Sequence, residues 1–159
     1  MMTKYRWIGK PLPRIDGCDK ATGAAKYVTD RVFPNMLWGA VLRSRYPHAL
    51  IKRIDTSKAE AVAGVVSVLT YRDVPGLNAF GIVNQDQPVL CEDKVRYLGD
   101  PVALVLAESK EYAYSSLDLI EVDYEPLPVV SDMEDALQTD IKVHEQGNVI
   151  EQVTVTKGD

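Results

Sequence analysis

Apolar and polar positions alternate in short runs that turn-forming residues interrupt, so the chain reads as many brief strands with a few short helices between them. Met36–Arg43 (MLWGAVLR), Leu50–Asp55 (LIKRID), Val65–Thr70 (VVSVLT), Val95–Leu98, Val102–Ala107 and Ile120–Tyr124 (IEVDY) are the strand candidates. A weaker alternation suggests strands at Ala25–Val28 and Val149–Thr156. Helices are expected at Lys58–Val62, capped by Thr56 or Ser57 and ended by Gly64; at Lys110–Leu119, capped by Ser109; and at Met133–Leu137, capped by Asp132. Strands and helices alternate, but the strands are short and differently joined. That favours an α+β (mixed α/β) fold, a small mixed sheet with packed helices, over a doubly wound parallel sheet.

Two places break the pattern. Tyr71–Glu92 holds Pro75, Gly76, Asn78, Gly81, Asn84 and Pro88 without a period, and so long a connection is often functional. In DKVRYLGDPVALVLAES, residues 93–109, Gly99-Asp100-Pro101 divides two strand candidates, as a hairpin turn or as a loop that approaches a cofactor or partner. Residues 1–15 mix charge, Pro and Gly and read as an extended arm; residues 16–140 form the domain, and residues 141–159 a connection beyond it.

With 159 residues and 46% hydrophobic content, the chain suits one core-forming domain. Its net charge of −5 and the shortness of its basic patches, Arg43 with Arg45 and Lys52 with Arg53, argue against nucleic acid as a partner. No run of about 18 apolar residues is present, so no membrane span is expected. Cys18 and Cys91 belong to no CxxC pattern and read as free thiols of a cytoplasmic protein. With His48 and His144 at unrelated spacings they suggest no metal site.

No GxSxG, HExxH, GxGxxG or phosphate-loop sequence occurs, so no catalytic, cofactor-binding or metal residue is assigned. Glu121, Asp123 and Glu125 share one face of a strand, either as a cation or proton site or, more simply, as the solvated face of an edge strand. His48, in the Tyr46-Pro47-His48 turn, can bond a backbone carbonyl or contact a ligand, and His144 is open to the same two readings. Trp7 lies in the arm, and Trp38 is a core candidate.

The ordered set R-x-D-G, T-G-x-A-x-Y-x-x-D, S-x-x-x-H-A-x-I, V-R-Y-x-G-D-P-V-A and Y-E-x-L-P, spread over about residues 8–159, resembles the start of the molybdenum-binding subunit of xanthine dehydrogenases and related molybdenum hydroxylases. The resemblance implies an α/β hammerhead domain, with projecting strands and helices packed on a small sheet, at the N-terminal end of a longer subunit. It implies a parent enzyme that hydroxylates an electron-poor carbon, typically in a purine such as hypoxanthine or xanthine, with water as oxygen source. Molybdopterin would lie in later domains, and [2Fe-2S] clusters and FAD in partner subunits or domains.

The domain itself is then expected to be inactive alone and to pack against the remaining molybdopterin-binding domains and the iron-sulfur and FAD subunits. Leu77, Phe80, Ile82, Gly99 and Asp100 are the candidates for that inter-domain contact, and exposed apolar surface would favour self-association. Alternatives are a parent acting on an aldehyde, carbon monoxide or an N-heterocycle, or an independent small-ligand module using the Tyr46–His48 turn or the Glu121-Asp123-Glu125 face.

Overall fold

The computed structural model of the protein describes residues 6–158, so the first five residues of the expected arm and the last residue lie outside it. The chain divides into two units, residues 1–36 and 37–159.

In the first unit, helix α1 (Gly17–Thr22) ends at Gly23, whose φ of +74° is the left-handed value a helix-terminating glycine supplies. The strand expected at Ala25–Val28 does not form. A 3₁₀ turn, Val28–Asp30, follows instead, because Asp30 folds back to accept the Tyr27 N–H at 3.0 Å and closes the backbone locally.

The second unit carries two three-stranded antiparallel sheets rather than the single small mixed sheet expected. In one, β5 (Pro101–Ala107) runs between β1 (Trp38–Arg43) and β3 (Val65–Leu69), with Trp38 opposite Ala107 and Leu69 opposite Leu104. In the other, β2 (Ala49–Asp55) runs between β4 (Lys94–Val95) and β6 (Glu121–Pro126). Successive strands alternate between the two sheets, β1, β3 and β5 in one and β2, β4 and β6 in the other, and every ladder pairs antiparallel.

Apolar burial joins the sheets. Ala103, Val105, Val68, Ala59 and Ile120 form one buried cluster; Ala49, Cys91, Val95 and Val102 form another; and Ile54 and Val122 pack against both. Helix α2 (Ser57–Glu60) contributes Ala59 to the core. Its first turn is capped by neither Thr56 nor Ser57 but by Asp55, whose Oδ1 accepts the Ser57 N–H at 3.1 Å. Helix α3 (Lys110–Ser115) has the expected Ser109 cap, which accepts the Tyr112 N–H at 3.2 Å. The helix stops short of Leu119 because the buried Ser116 hydroxyl donates to the Tyr112 carbonyl at 2.7 Å, and a 3₁₀ turn, Leu117–Leu119, takes over. Trp38 is half-buried, packed beside Ala40, Ala107 and Ala113.

Helix α4 (Met133–Gln138) carries its Asp132 cap, which accepts from Glu134 and Asp135. The expected strand at Val149–Thr156 does not form: no backbone hydrogen bond among the described residues pairs this segment with a neighbouring edge. The expected strand Val95–Leu98 is also curtailed. Its ladder ends at Val95 because the Asp100 carboxylate takes the Arg96 N–H at 2.8 Å and bends the chain into the turn.

Candidate functional site

The Tyr71–Glu92 connection is ordered by side-chain bonds to backbone, which is how a segment without a ladder satisfies its polar groups. Thr70 and Asp73 cap a 3₁₀ turn at its start. The Asn78 amide then closes the loop: its Oδ1 accepts from Val89 and Leu90 at 3.0 and 3.2 Å, and its Nδ2 donates to the Leu90 carbonyl at 2.8 Å. Phe80 and Gln87 exchange reciprocal backbone bonds of 2.8 and 3.1 Å, making a small hairpin. At its bend a β-carbon on Gly81 would stand 1.7 Å from the Asn84 carbonyl oxygen, so only glycine fits.

The hairpin holds its apolar side chains in solvent. Leu77, Phe80 and Val83 are exposed, and Ile82 is fully so. Phe80, Ile82 and Val83, with Val149 and Ile150, border a groove of about 660 Å³ whose far wall is the His144–Gly147 turn. A second amide holds that wall: Asn148 accepts the Val143 N–H at 2.9 Å and donates to the carbonyls of Ala136 and Ile141 at 3.1 and 2.8 Å. His144 Nδ1 lies 2.8 Å from Asp86 Oδ2, across the groove's floor. Neither Asn clamp nor this His144–Asp86 contact was legible in spacing, because their partners are brought together by the fold.

Gly99 and Asp100, expected at the same contact surface, sit in the turn that anchors β5. Gly99 has φ +92°, its N–H donates to the Ser44 carbonyl at 2.9 Å, and its own carbonyl accepts from Arg43 Nη1 at 2.9 Å. Asp100 is only 2% exposed, and its carbonyl accepts the Ser44 N–H at 2.8 Å. Its side chain is therefore turned into the unit, unlike those of Leu77, Phe80 and Ile82. Burial, and then the Asp100 charge, push the Cys91 thiol far up and the Tyr97 hydroxyl up, holding both protonated at neutral pH.

The other candidates are engaged inside the unit. His48 is buried, and its Nδ1 contacts the Pro128 carbonyl at 2.6 Å; its Nε2 has no partner among the described residues. Glu121 pairs with Lys58, and Glu125 with Lys52 at 2.5 Å. Asp123 faces Arg53 across the ladder. The acidic row thus behaves as the solvated face of an edge strand, and such exposed pairs contribute little stability. An open cleft of about 600 Å³ nearby sets Arg43, Arg45 and Arg53 against Asp55, Asp118, Glu121 and Asp123, a nearly balanced charge set with no single preferred ligand sign. In the first unit, Trp7 and Cys18 are exposed.

Among the described residues no three His, Cys, Asp or Glu side chains converge to hold a metal ion. No helix among them is long and apolar enough to cross a membrane.

Residues 22–128 match the family described as "Aldehyde oxidase and xanthine dehydrogenase, a/b hammerhead domain". The chain is 52% identical over 154 residues to a probable xanthine dehydrogenase subunit of Bacillus subtilis, covering 96% of this chain and 21% of that protein. It is 43% identical over 136 residues to the nicotinate dehydrogenase large molybdopterin subunit of Eubacterium barkeri, covering 86% of this chain and 32% of that one. Its fold superposes on the aldehyde oxidoreductase of Desulfovibrio desulfuricans with a TM-score of 0.79 at 33% identity, over 88% of this chain and 17% of that structure. The chain thus spans between about a sixth and a third of the length of these relatives.

Proposed function

Since the chain belongs to the aldehyde oxidase and xanthine dehydrogenase a/b hammerhead domain family, we propose that it serves as the packing and interaction domain of a xanthine dehydrogenase-like molybdenum hydroxylase and carries no chemistry by itself. The observation that supports this reading is the Phe80–Gln87 hairpin, which is rigidly built yet presents Phe80, Ile82 and Val83 to solvent. Building a hairpin to expose apolar side chains makes physical sense where another surface covers them. Leu77, Phe80 and Ile82 would touch the neighbouring molybdopterin-binding domains or the iron-sulfur and FAD components. Gly99 and Asp100 would support that contact from beneath, by fixing the turn at the start of β5.

When bound elsewhere in the parent enzyme, molybdopterin would supply the oxygen-transfer and redox chemistry, with water as oxygen source. No residue of this chain is assigned to hold that group: Cys91 is buried and held protonated, Cys18 is exposed, and no three His, Cys, Asp or Glu side chains converge among the described residues. The chain's role is then to present a shaped surface. A purine substrate for the parent is supported by the 52% identity to the Bacillus subtilis xanthine dehydrogenase subunit, against 43% to the nicotinate enzyme's subunit. The cytoplasm is the corresponding location.

Co-expression of the chain with the molybdopterin-binding region, the iron-sulfur subunit and the FAD subunit tests the assignment. A stoichiometric complex that oxidises xanthine only when assembled is the expected result. Failure to form a complex with any of the three would overturn it.

A further inference from the structure

Residues 6–36 carry helix α1 and a 3₁₀ turn, yet none of them is buried. A segment this short cannot close a core of its own, and below about 40 residues a unit is usually held by a cross-link, a metal or another chain. Its single cysteine, Cys18, is free. Its large apolar side chains meet solvent: Trp7, Ile8, Leu12 and Phe33 are exposed, and Ile15 fully so. Its charge also differs from that of the rest of the chain. Residues 1–36 hold seven Lys and Arg against three Asp, a net +4, whereas residues 37–159 hold eleven against twenty acidic residues, a net −9; the two make up the chain's −5. A positive segment with exposed apolar side chains is complemented by an apolar surface with a negative rim.

The second unit has such a surface at residues 129–145. Met133 and Leu137, four apart on α4, share one helix face, and both are exposed, as is Val129. Val129, Val130 and Ile141 line a groove of about 330 Å³ together with Asp135. Residues 129–145 hold five Asp and Glu against one Lys, and of these Asp135 and Asp140 are exposed. The residues lining this groove are not those lining the groove beside the Phe80–Gln87 hairpin.

We propose that two copies of the chain exchange these segments: residues 6–36 of one copy lie on the α4 face of the other, with apolar side chains against Val129, Met133 and Leu137, and with Lys10 and Lys26 set against the carboxylates. Because each copy carries both surfaces, the exchange is reciprocal, makes the contact twice and closes as a two-fold dimer. Phosphate polymers and anionic bilayers are poorer occupants, since the −9 of residues 37–159 repels them. The exchange is independent of the hairpin's docking to molybdopterin-binding domains, and the two fail separately.

Sedimentation equilibrium of the 159-residue chain tests it. A monomer–dimer equilibrium is expected, weakening about tenfold as sodium chloride is raised from about 0.1 to 1 M and the reach of the charges falls from about 10 to about 3 Å. Lys10→Glu with Lys26→Glu sets an acidic arm before an acidic face, and Asp135→Lys with Asp140→Lys sets a basic face before a basic arm. Each doubly substituted chain should be monomeric alone, and an equal mixture of the two should form a 1:1 dimer, because every arm then meets the opposite charge. The neutral versions, Lys10→Gln with Lys26→Gln and Asp135→Asn with Asp140→Asn, should weaken the dimer less, and they keep the test decisive if a reversal unfolds the chain. Ile82→Asp, on the hairpin, should leave the dimer intact. A chain that is monomeric at all concentrations would overturn the exchange and assign residues 6–36 to their own chain or to a different partner. So would a dimer that survives both charge reversals, or a mixture of the two folded variants that stays monomeric.

Discussion

Gly64 lies against the ring of Tyr112: a β-carbon at position 64 would stand 2.5 Å from Cδ2 and 2.7 Å from Cε2 of that tyrosine. The same glycine has φ +95° and accepts the Glu108 N–H at 2.8 Å, so the entry to β3, the end of β5 and helix α3 meet at one point. Gly64→Ala is expected to destabilise the domain by about 1–3 kcal/mol, combining left-handed strain with the ring clash. Chemical denaturation reads the loss. Adding Tyr112→Ala should recover the steric part and leave the backbone part, giving a coupling between the two sites that a double-mutant cycle resolves.

The strand and helix pattern was legible wherever one run of residues determined the outcome. β1, β2, β3, β5 and β6 follow their apolar runs, and the Ser109 and Asp132 caps act as their side-chain chemistry dictates. The misses share a cause. Val149–Thr156 alternates as a strand does but meets no edge among the described residues, and Ala25–Val28 loses to the local Asp30 bond with Tyr27. A strand is a property of two segments, so one segment's sequence is insufficient. The same holds at the groove: Phe80 and Ile82 stood out as apolar residues in a loop, whereas Asp86 and His144, 58 positions apart, gave no local signal.

Asn78 should be a stability determinant of its loop. Asn78→Ala leaves the N–H groups of Val89 and Leu90 without their acceptor and is expected to cost about 1–3 kcal/mol, as an increased local opening. Asn78→Asp retains the acceptor for both N–H groups but sets a carboxylate oxygen against the Leu90 carbonyl where the amide donated, so it should recover only part of the loss. Limited proteolysis within residues 79–88 ranks the three proteins: alanine variant cut fastest, aspartate variant next, unsubstituted chain slowest.

The two thiols should react very differently. Cys18 is exposed, whereas Cys91 is buried and its thiol is held protonated first by burial and then by the Asp100 charge. Titration with a disulfide reagent under mildly alkaline conditions should therefore show one fast equivalent, removed by Cys18→Ser. The second should appear at the rate of domain opening and become fast in denaturant. Two fast equivalents in the folded chain would contradict the burial of Cys91.

Acid should erase the contribution of Asp55. The Ser57 hydroxyl, at 2.6 Å, lowers its carboxyl most, followed by the Ser57 N–H, with Arg53 adding to the effect. A carboxyl that sits lower in the folded chain than its ordinary 3.8 stabilises the fold above that value, and the contribution fades as pH falls through the folded value. Asp55→Ala should thus melt below the unsubstituted chain at neutral pH, and the gap should narrow as pH falls below 3.8. Thermal melts at stepped pH measure it. A gap that stayed constant would assign the loss to helix packing rather than to the carboxylate.

Ile82 separates stability from assembly. Its side chain is fully exposed at the bend of the Phe80–Gln87 hairpin, so burial contributes nothing to the folded chain at that position. Ile82→Asp should leave the unfolding free energy within about 0.5 kcal/mol of the unsubstituted chain, as surface substitutions do. In a complex with the molybdopterin-binding region, the same aspartate would be carried into an apolar contact and left without a partner. Such a change is expected to weaken association by at least about tenfold, since an unpaired charge in a desolvated contact costs well over about 1.4 kcal/mol. Sedimentation of the isolated chain gives a second reading: if self-association uses the same surface, Ile82→Asp makes the chain more monomeric. Unchanged affinity for the molybdopterin-binding region would remove the hairpin from the docking surface and leave the Val149–Val155 segment, whose apolar side chains are also exposed, as the surface to vary next.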